Sequence, residues 1–241
     1  RSTRDWSSDV CSSDLGESNV DRAHEYQSLF PEMIVDWRGH FGDVELPFLY
    51  VQLPNYLTEA SEPVDQSWSE MRMAQDQALK LLHVGRVVTI DIGDADDIHP
   101  KNKVEVGRRS AIVALNLTYG RHFILSPIYK SHRVEDHRIF VSIDQAVEDL
   151  VVRDKYGYIR GFAIAGADQK FYWAKATISN GEIEVFCEEV EKPVAIRYAW
   201  SSNPGTLNLF NKEGWPLAPF QTDNWKGITE GNRYHSKDAR F

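Results

Sequence analysis

The spacing of apolar residues changes near Gly120, and this change limits the folds open to the chain. Three segments before it repeat apolar residues at intervals of three and four, which predicts amphipathic helices: 24–41, 66–82 and 101–119. Two short apolar runs between these segments predict buried strands: PFLYVQL at 47–53 and VGRVVTIDI at 84–92. Because helices alternate with buried strands, this region predicts parallel βα units.

After Gly120 the pattern is typical of an antiparallel, sandwich-like β-structure. Short strand-like runs follow one another closely: RIFVSI, LVVRD, GFAIAG, KFYWAKATI, EIEVFCEEV and VAIRYAW. Asn180-Gly181 lies between two of these runs and predicts a hairpin. We therefore predict an α/β fold class, with an α/β domain over 16–120, a β-rich domain over 121–228 and a flexible polar tail over 229–241.

The composition argues against several kinds of partner. The formal net charge of -9 and the pI of about 5.4 disfavour nucleic acid and anionic membranes. No apolar run approaches the roughly 20 residues that span a bilayer. The 2 cysteines, Cys11 and Cys187, make neither a disulfide framework nor a metal-ligand cluster. We expect no metal and no cofactor, and the sequence leaves the oligomeric state open.

The first residues of the chain do not have the character of a folded segment. The run DWSSDVCSSDL at 5–15 is identical to one reading frame of a common short-read sequencing adapter. We therefore expect residues 1–15 to be non-native and set them aside. On this interpretation the chain is truncated, and any signal peptide or catalytic residue upstream of Gly16 is missing from the sequence.

The loop after the second predicted strand concentrates groups that can carry chemistry. It holds Asp91, Asp94, Asp96, Asp97 and His99. Asp96 and His99 form a D-x-x-H pattern, in which a carboxylate can orient an imidazole for general-base work. Two other interpretations stay open, namely a solvated acidic turn that caps the next helix and a carboxylate metal site. The loop lacks the glycine and glutamate positions of an EF-hand.

Several colinear blocks resemble one family. They are GESNV at 16–20, LFPEMIVDWRGHFG at 29–42, LPFLYVQLPNY at 46–56, RMAQDQAL at 72–79, DIGDADDIHPKNKVEVGRR at 91–109, GFAIAGADQKFYWAKATI at 161–178, VAIRYAWSSNP at 194–204 and NLFNKEGWPLAPFQTD at 208–223. Together they resemble the sialate O-acetylesterase family, carbohydrate esterases of the SGNH hydrolase superfamily. The resemblance implies part of a flavodoxin-like three-layer α/β domain, followed by an extra β-domain.

The resemblance also implies roles for the loop residues. His99 becomes the general base of a Ser/His/Asp mechanism, with Asp96 as its orienting carboxylate and Asp97 or Asp94 as alternatives. The family's nucleophile is a serine in a GQSN-type block, which this sequence does not contain. We therefore expect the family to be ester hydrolases and this chain alone to be inactive.

Further positions are expected to contact the substrate. The run Gly16, Glu17, Ser18 and Asn19 matches the family's block near the oxyanion hole, and Asn55 follows a predicted strand end. The implied substrate is an acetylated sialic acid or related sugar. A xylan or other polysaccharide deacetylase and a non-catalytic carbohydrate-binding module remain alternatives. The resemblance favours a periplasmic or secreted protein.

Some residues are expected to serve the fold. We assign Arg38 and Arg72 to structural ion pairs. One set of aromatic residues could stack on sugars, but core packing is the more frequent use of such residues: Tyr172, Trp173, Tyr198, Trp200 and Trp215.

Overall fold

The computed structural model describes residues 11–13 and 16–233. Its α-helices are α1 (Ala23–Phe41), α2 (Ser67–Gln75) and α3 (Lys103–Tyr119). Its strands are β1 (Cys11–Ser13), β2 (Phe48–Val51), β3 (Val84–Val87), β4 (Tyr129–Glu135), β5 (Arg138–Ile143), β6 (Leu150–Val152), β7 (Phe162–Ala165), β8 (Phe171–Trp173), β9 (Lys175–Ser179), β10 (Glu182–Phe186), β11 (Ala195–Tyr198), β12 (Leu209–Asn211) and β13 (Phe220–Gln221). Within this described part, no helix is long and apolar enough to cross a membrane.

The first sheet is parallel, as the alternating pattern predicts. Its order is β1-β2-β3, with Phe48 opposite Val84. The chain supplies β1 from the segment that we set aside, and Cys11 lies opposite Phe48. A ladder uses backbone groups, so the open edge of β2 can pair with an extended segment of almost any sequence.

Helices cover both faces of this sheet. Phe48 and Tyr50 pack with residues of α1 and α2 in one buried cluster. Leu49 belongs to another cluster with Val113 of α3. Because successive strand residues point to opposite faces, α1 and α2 cover one face and α3 covers the other. This is the three-layer arrangement that the resemblance implies.

The second half is antiparallel. Two sheets, ordered β4-β5-β10-β9 and β13-β11-β7-β8, bury their facing residues in one core. Asn180 and Gly181 both have positive φ and join β9 to β10, which confirms the predicted hairpin. The run KFYWAKATI differs from its prediction as one strand, because it breaks at Ala174. β8 pairs with β7, whereas β9 pairs with β10 in the other sheet.

Two predicted elements of the first half end early. The helix over 66–82 continues beyond Gln75 only as a 3₁₀ turn, Asp76–Lys80. Asp76 at this junction accepts hydrogen bonds from Tyr50 and Gln52 and pairs with Arg86. The run over 84–92 is a strand only to Val87. The rest of this run begins the loop that carries the candidate active-site residues.

Arg72 joins the two halves. Its buried guanidinium donates to the carbonyl oxygens of Leu53 at 2.9 Å and Pro54 at 2.8 Å in the first half. It also donates to the carbonyls of Ser201 and Ser202 in the second half. Burial lowers the pKa of Arg72 to about 9, so the group is still charged at neutral pH. The ion pair expected for Arg72 is wrong, because carbonyl oxygens take the place of a carboxylate.

A second contact joins the end of the chain to α2. The buried carboxylate of Glu70 accepts from the backbone N–H groups of Ile228 at 2.6 Å and Thr229 at 3.1 Å. The hydroxyl of Thr229 donates to the same carboxylate and accepts from the backbone N–H of His24. Thr229 is therefore a buried structural residue, although it begins the predicted tail. Residues 234–241 of that tail lie outside the described part.

We expect Arg72→Met to lower the free energy of unfolding by about 3 kcal/mol or more, because it leaves carbonyls of both halves without their donor. Urea denaturation measures the change. Arg133→Met is the control, since Arg133 forms exposed ion pairs with Glu135 and Glu182 and should cost less than about 1 kcal/mol. Equal losses in the two variants would contradict the account.

Candidate active site

The candidate loop leaves the carboxyl end of β3, where parallel sheets hold their ligands. Asp91 anchors its first turn. Both carboxylate oxygens of Asp91 accept from Arg109 of α3, at 2.7 and 2.8 Å. Arg109 is buried, and it also donates to Glu105 and to the carbonyl of Val88. The loop therefore begins from a fixed position rather than as a free acidic turn.

Asn55 holds the next part of the loop. Its Oδ1 accepts from the backbone N–H of Gly93 at 2.7 Å, and its Nδ2 lies 3.5 Å from Oδ1 of Asn203. A Cβ at Gly93 would overlap the carbonyl oxygen of Asn55, so this approach requires glycine. Asn55 thus connects the end of β2, the loop and the β-rich half.

The acidic residues of the loop have separate partners. Oδ2 of Asp94 accepts from Lys101 at 2.7 Å, and this bond lowers the pKa of Asp94. Oδ1 of Asp94 accepts from the backbone N–H of Asp96 at 3.0 Å. These contacts close a local turn. Among the described residues, no group of three His, Cys, Asp or Glu side chains could hold a metal ion.

His99 has Asp97 beside it. Nδ1 of His99 lies 3.5 Å from Oδ1 of Asp97, which also accepts from the backbone N–H of His99 at 2.9 Å. The His99 side chain is 77% exposed, so a substrate proton can reach it. The separation exceeds that of a good hydrogen bond, although catalytic bonds are often long before substrate binds. Asp96 forms its turn with Asp94 instead.

The Gly16 block lies on the same core as the loop. Gly16 is buried with φ +149°, close to the side chain of Gln75 and the hydroxyl of Tyr26. The backbone N–H of Asn19 donates to the carbonyl of Gly16 at 2.8 Å, and its side chain accepts from Arg22 at 2.8 Å. Glu17 is partly buried and Ser18 is exposed. Val20 and Ile98 pack against one buried cluster, so this core supports both segments.

A cleft of about 510 Å³ opens beside the loop. Asn55, Asp91 and Ala95 form one side, and Asn203 and Asn208 belong to the other half of the chain. Its lining is mixed, with the charged groups of Glu59 and Arg153 and these amides beside the apolar side chains of Leu207 and Phe210. A cleft of this kind suits a ligand with many hydroxyl groups.

Most of the residues assigned to the fold are buried. Arg38 is buried and donates to the carbonyls of Leu46, Leu82 and His83, so the ion pair expected for it is also wrong. Tyr198, Trp200 and Trp215 are buried, as core packing predicts, and Tyr172 is partly buried. Trp173 differs, because it is 39% exposed.

The sequence did not single out Arg109 or Asn203 for this site. Arg109 lies on the buried face of α3, where a charge without a visible partner is itself a signal that a carboxylate approaches. Asn203 stands in the block VAIRYAWSSNP, beyond β11. No local pattern connects it to Asn55, which lies 148 positions away in sequence.

The parallel sheet covered by helices on both faces is an SGNH-like three-layer fold, and a β-sandwich follows it in this chain. No family model matches the chain. The chain is 27% identical to mouse (Mus musculus) sialate O-acetylesterase over 215 residues, which is 78% of this chain and 39% of that protein. Its fold matches the crystal structure of a carbohydrate acetylesterase from Xanthomonas citri with a TM-score of 0.80 and 38% identity. That match covers 90% of this chain and 50% of the other. These similarities support a sialate O-acetylesterase-like family, as the sequence blocks predict.

We expect Gly93→Ala to destabilise the chain by about 2 kcal/mol, because the added methyl group would collide with Asn55. Gly107→Ala is the matched control. Gly107 lies within α3 with nothing near its missing Cβ, so alanine should stabilise the helix by up to about 1 kcal/mol. Thermal unfolding measures the Tm of each variant. A change of Tm in the same direction for both variants would contradict the account.

The ion pair at the start of α3 gives a pH dependence. A hydrogen bond from Arg108, supported by Arg109, lowers the pKa of Glu105 from 4.5 to about 2. Because the folded-state pKa is depressed, the stabilisation is complete above about pH 4.5 and is lost as the pH falls towards 2. We expect Glu105→Gln to be less stable than the wild type at pH 7, with the difference shrinking over this window. Glu32 is exposed, so Glu32→Gln serves as the control. Urea denaturation at several pH values measures the free energy of unfolding, and a difference between Glu105→Gln and the wild type that grew on acidification would contradict the prediction.

Proposed function

We propose that this chain carries the general base and part of the sugar pocket of a carbohydrate O-acetylesterase. One observation carries the proposal: an exposed histidine with an adjacent carboxylate lies on a loop at the carboxyl end of a parallel strand, and Asp91 and Ala95 of the same loop line a cleft. The mouse and Xanthomonas citri relatives, a sialate O-acetylesterase and a carbohydrate acetylesterase, support this reaction class. The chain spans 50% of the length of the matched solved chain and 39% of the length of the mouse relative. The whole reaction is therefore proposed for the longer enzyme.

The proposed reaction is acyl transfer through a serine, in two steps. His99 accepts the proton of the serine hydroxyl while the serine oxygen attacks the acetyl carbonyl carbon. His99 then gives this proton to the departing sugar oxygen. In the second step His99 takes a proton from water while the water oxygen attacks the acetyl carbon. His99 then gives this proton to the serine oxygen, so that acetate leaves and the serine hydroxyl is restored. Backbone N–H groups of Gly16, Glu17 or Ser18 are proposed donors to the charged oxygen of each tetrahedral intermediate, since the N–H of Asn19 already donates to Gly16.

The orienting carboxylate is proposed to be Asp97. Asp97 lies on the Nδ1 side of His99, which leaves Nε2 for the substrate. The D-x-x-H pattern favours Asp96, but its backbone closes a turn on Asp94, and among the described residues no hydrogen bond or ion pair joins its side chain to the imidazole. Substituting each acid separately distinguishes the two assignments.

The substrate is proposed to be an acetyl ester of a sugar. Asn55, Asn203 and Asn208 fix the walls of the cleft through hydrogen bonds with Gly93, Leu57 and Tyr158. The charged side chains of Glu59 and Arg153 line the same cleft and can bind hydroxyl groups. Sialic acid is one candidate sugar, and an acetylated polysaccharide such as xylan is the alternative. The reaction is the same in both cases, so a panel of acetylated sugars separates them.

In the longer enzyme, we expect His99→Ala to lower kcat by at least about 1,000-fold, because the serine loses its base. His40→Ala is the matched control. His40 is 78% exposed and lies beside Asp36 on α1, away from the loop. We also expect Asp97→Asn to cost at least about 100-fold in kcat and Asp96→Asn less than about threefold. Release of acetate from acetylated sugars measures each rate.

The chain of 241 residues is tested alongside. It should hydrolyse p-nitrophenyl acetate no faster than its own His99→Ala variant. If the longer enzyme kept its rate after His99→Ala, the assignment of the base would fail. Sugar binding with no release of acetate would favour a carbohydrate-binding module instead.

A further inference from the structure

A second cleft adjoins the first and extends to Trp173 of the β-rich half. It measures about 380 Å³ and lies between the loop that follows β2 and the β-rich half. Glu59 and Thr206 line both clefts, so the two share a wall. Together they extend from Asp91 and Ala95 to Trp173. A ligand longer than one sugar unit could therefore continue from the catalytic loop into the second cleft.

Trp173 provides the surface expected of a sugar platform. It lies at the end of β8, and its indole N–H donates to the carbonyl of Ser61 at 2.9 Å. That bond fixes the ring orientation while the side chain stays 39% exposed. Indole combines a large apolar face with a polar edge, and the C–H groups on one face of a pyranose ring can pack against such a face. Of the aromatic residues that the sequence singles out, the other tryptophans, Trp200 and Trp215, are buried in the core.

Charged groups surround this platform. Arg160 lines the second cleft and is mostly exposed, 3.9 Å from Asp154. The carboxylate of Glu59 rests against the backbone of Gly205, where a Cβ would overlap it. Gly205 has φ +69°, so glycine suits both the backbone and the contact. Among the described residues, the Glu59 carboxylate has no hydrogen-bond partner and is open to sugar hydroxyls.

We propose that the second cleft binds a further sugar unit, so that the substrate is an acetylated oligosaccharide or polysaccharide rather than a single sugar. Trp173 stacks on that unit, and Glu59 and Arg160 bind its hydroxyl groups. This inference rests on the proposed function, because it names the substrate class of the same site. On this inference Trp173, Glu59 and Arg160 determine which substrate binds and take no part in the chemical step.

Isothermal titration of the full chain tests the inference with two pairs of probes, xylotetraose against xylose and sialyllactose against N-acetylneuraminic acid. At least one oligosaccharide should bind about tenfold more tightly than its monosaccharide. Trp173→Ala should remove this advantage and leave the affinity for the monosaccharide unchanged, whereas Trp173→Phe should keep part of it. Trp37→Ala is the matched control, since Trp37 is 38% exposed on α1 and lines neither cleft.

The outcomes separate the inference from the proposed function. Equal affinities for oligosaccharide and monosaccharide, or no measurable binding of any probe, would overturn the second sugar site. Equal losses from Trp173→Ala and Trp37→Ala would overturn it too. If the longer enzyme released acetate but showed no preference for oligosaccharides, the function would stand without this site. If the chain preferred an oligosaccharide through Trp173 but the longer enzyme released no acetate, the site would stand and the esterase proposal would fail.

Discussion

The buried guanidinium of Arg72 is the interaction on which the rest of the structure depends. It binds the loop after β2 and the segment after β11 through their carbonyl oxygens alone. A buried charge of this kind is stable only while its partners stay in place. The α/β half and the β-rich half therefore cannot separate without exposing carbonyl groups and an unsatisfied cation. Glu70 and Thr229 make a second link of the same kind.

This connection determines where the candidate site lies. Leu53 and Pro54 directly precede Asn55, and Ser201 and Ser202 directly precede Asn203. Because Arg72 binds both of these segments, it brings Asn55 and Asn203 together. Asn55 in turn binds the backbone of Gly93 in the loop that carries His99. Trp215, from the β-rich half, packs with Leu49 and Val87 of the parallel sheet and lies beneath Arg109. The β-rich half is therefore part of the site's frame rather than an appendage.

Periodicity and turn chemistry predicted those elements of this fold that are encoded locally. The helix of 24–41 and the hairpin at Asn180-Gly181 follow from apolar spacing and turn chemistry. Long-range contacts cannot be predicted from local sequence patterns in this way. The sequence predicts a structural ion pair for Arg72, since nothing in its own segment shows that four carbonyl groups from elsewhere surround it. The break at Ala174 is similar, because a strand that changes sheets has the same local pattern as one that continues.

The candidate site likewise has residues that the sequence predicts and features that depend on long-range contacts. The acid-rich loop and His99 were visible in the sequence, and the resemblance supplied a role for them. The proposed choice of Asp97 over Asp96 depends on how the loop turns, and the hydrogen bond from the backbone N–H of Asp96 to Asp94 supports it. The clefts were not predictable, because their walls come from segments more than a hundred positions apart. Trp173 was one of a set of aromatic residues in the sequence, and only its exposure sets it apart.

The central claim is that the two halves form one cooperative unit that holds the site together. Native-state hydrogen exchange tests it most directly, by comparing the slowest amides of β2 and β3 with those of β7 and β11. We expect one common free energy of opening, with one common dependence on urea. A parallel sheet that opened more than about 2 kcal/mol below the sandwich would contradict the claim, since the links through Arg72 and Glu70 would then not couple the halves.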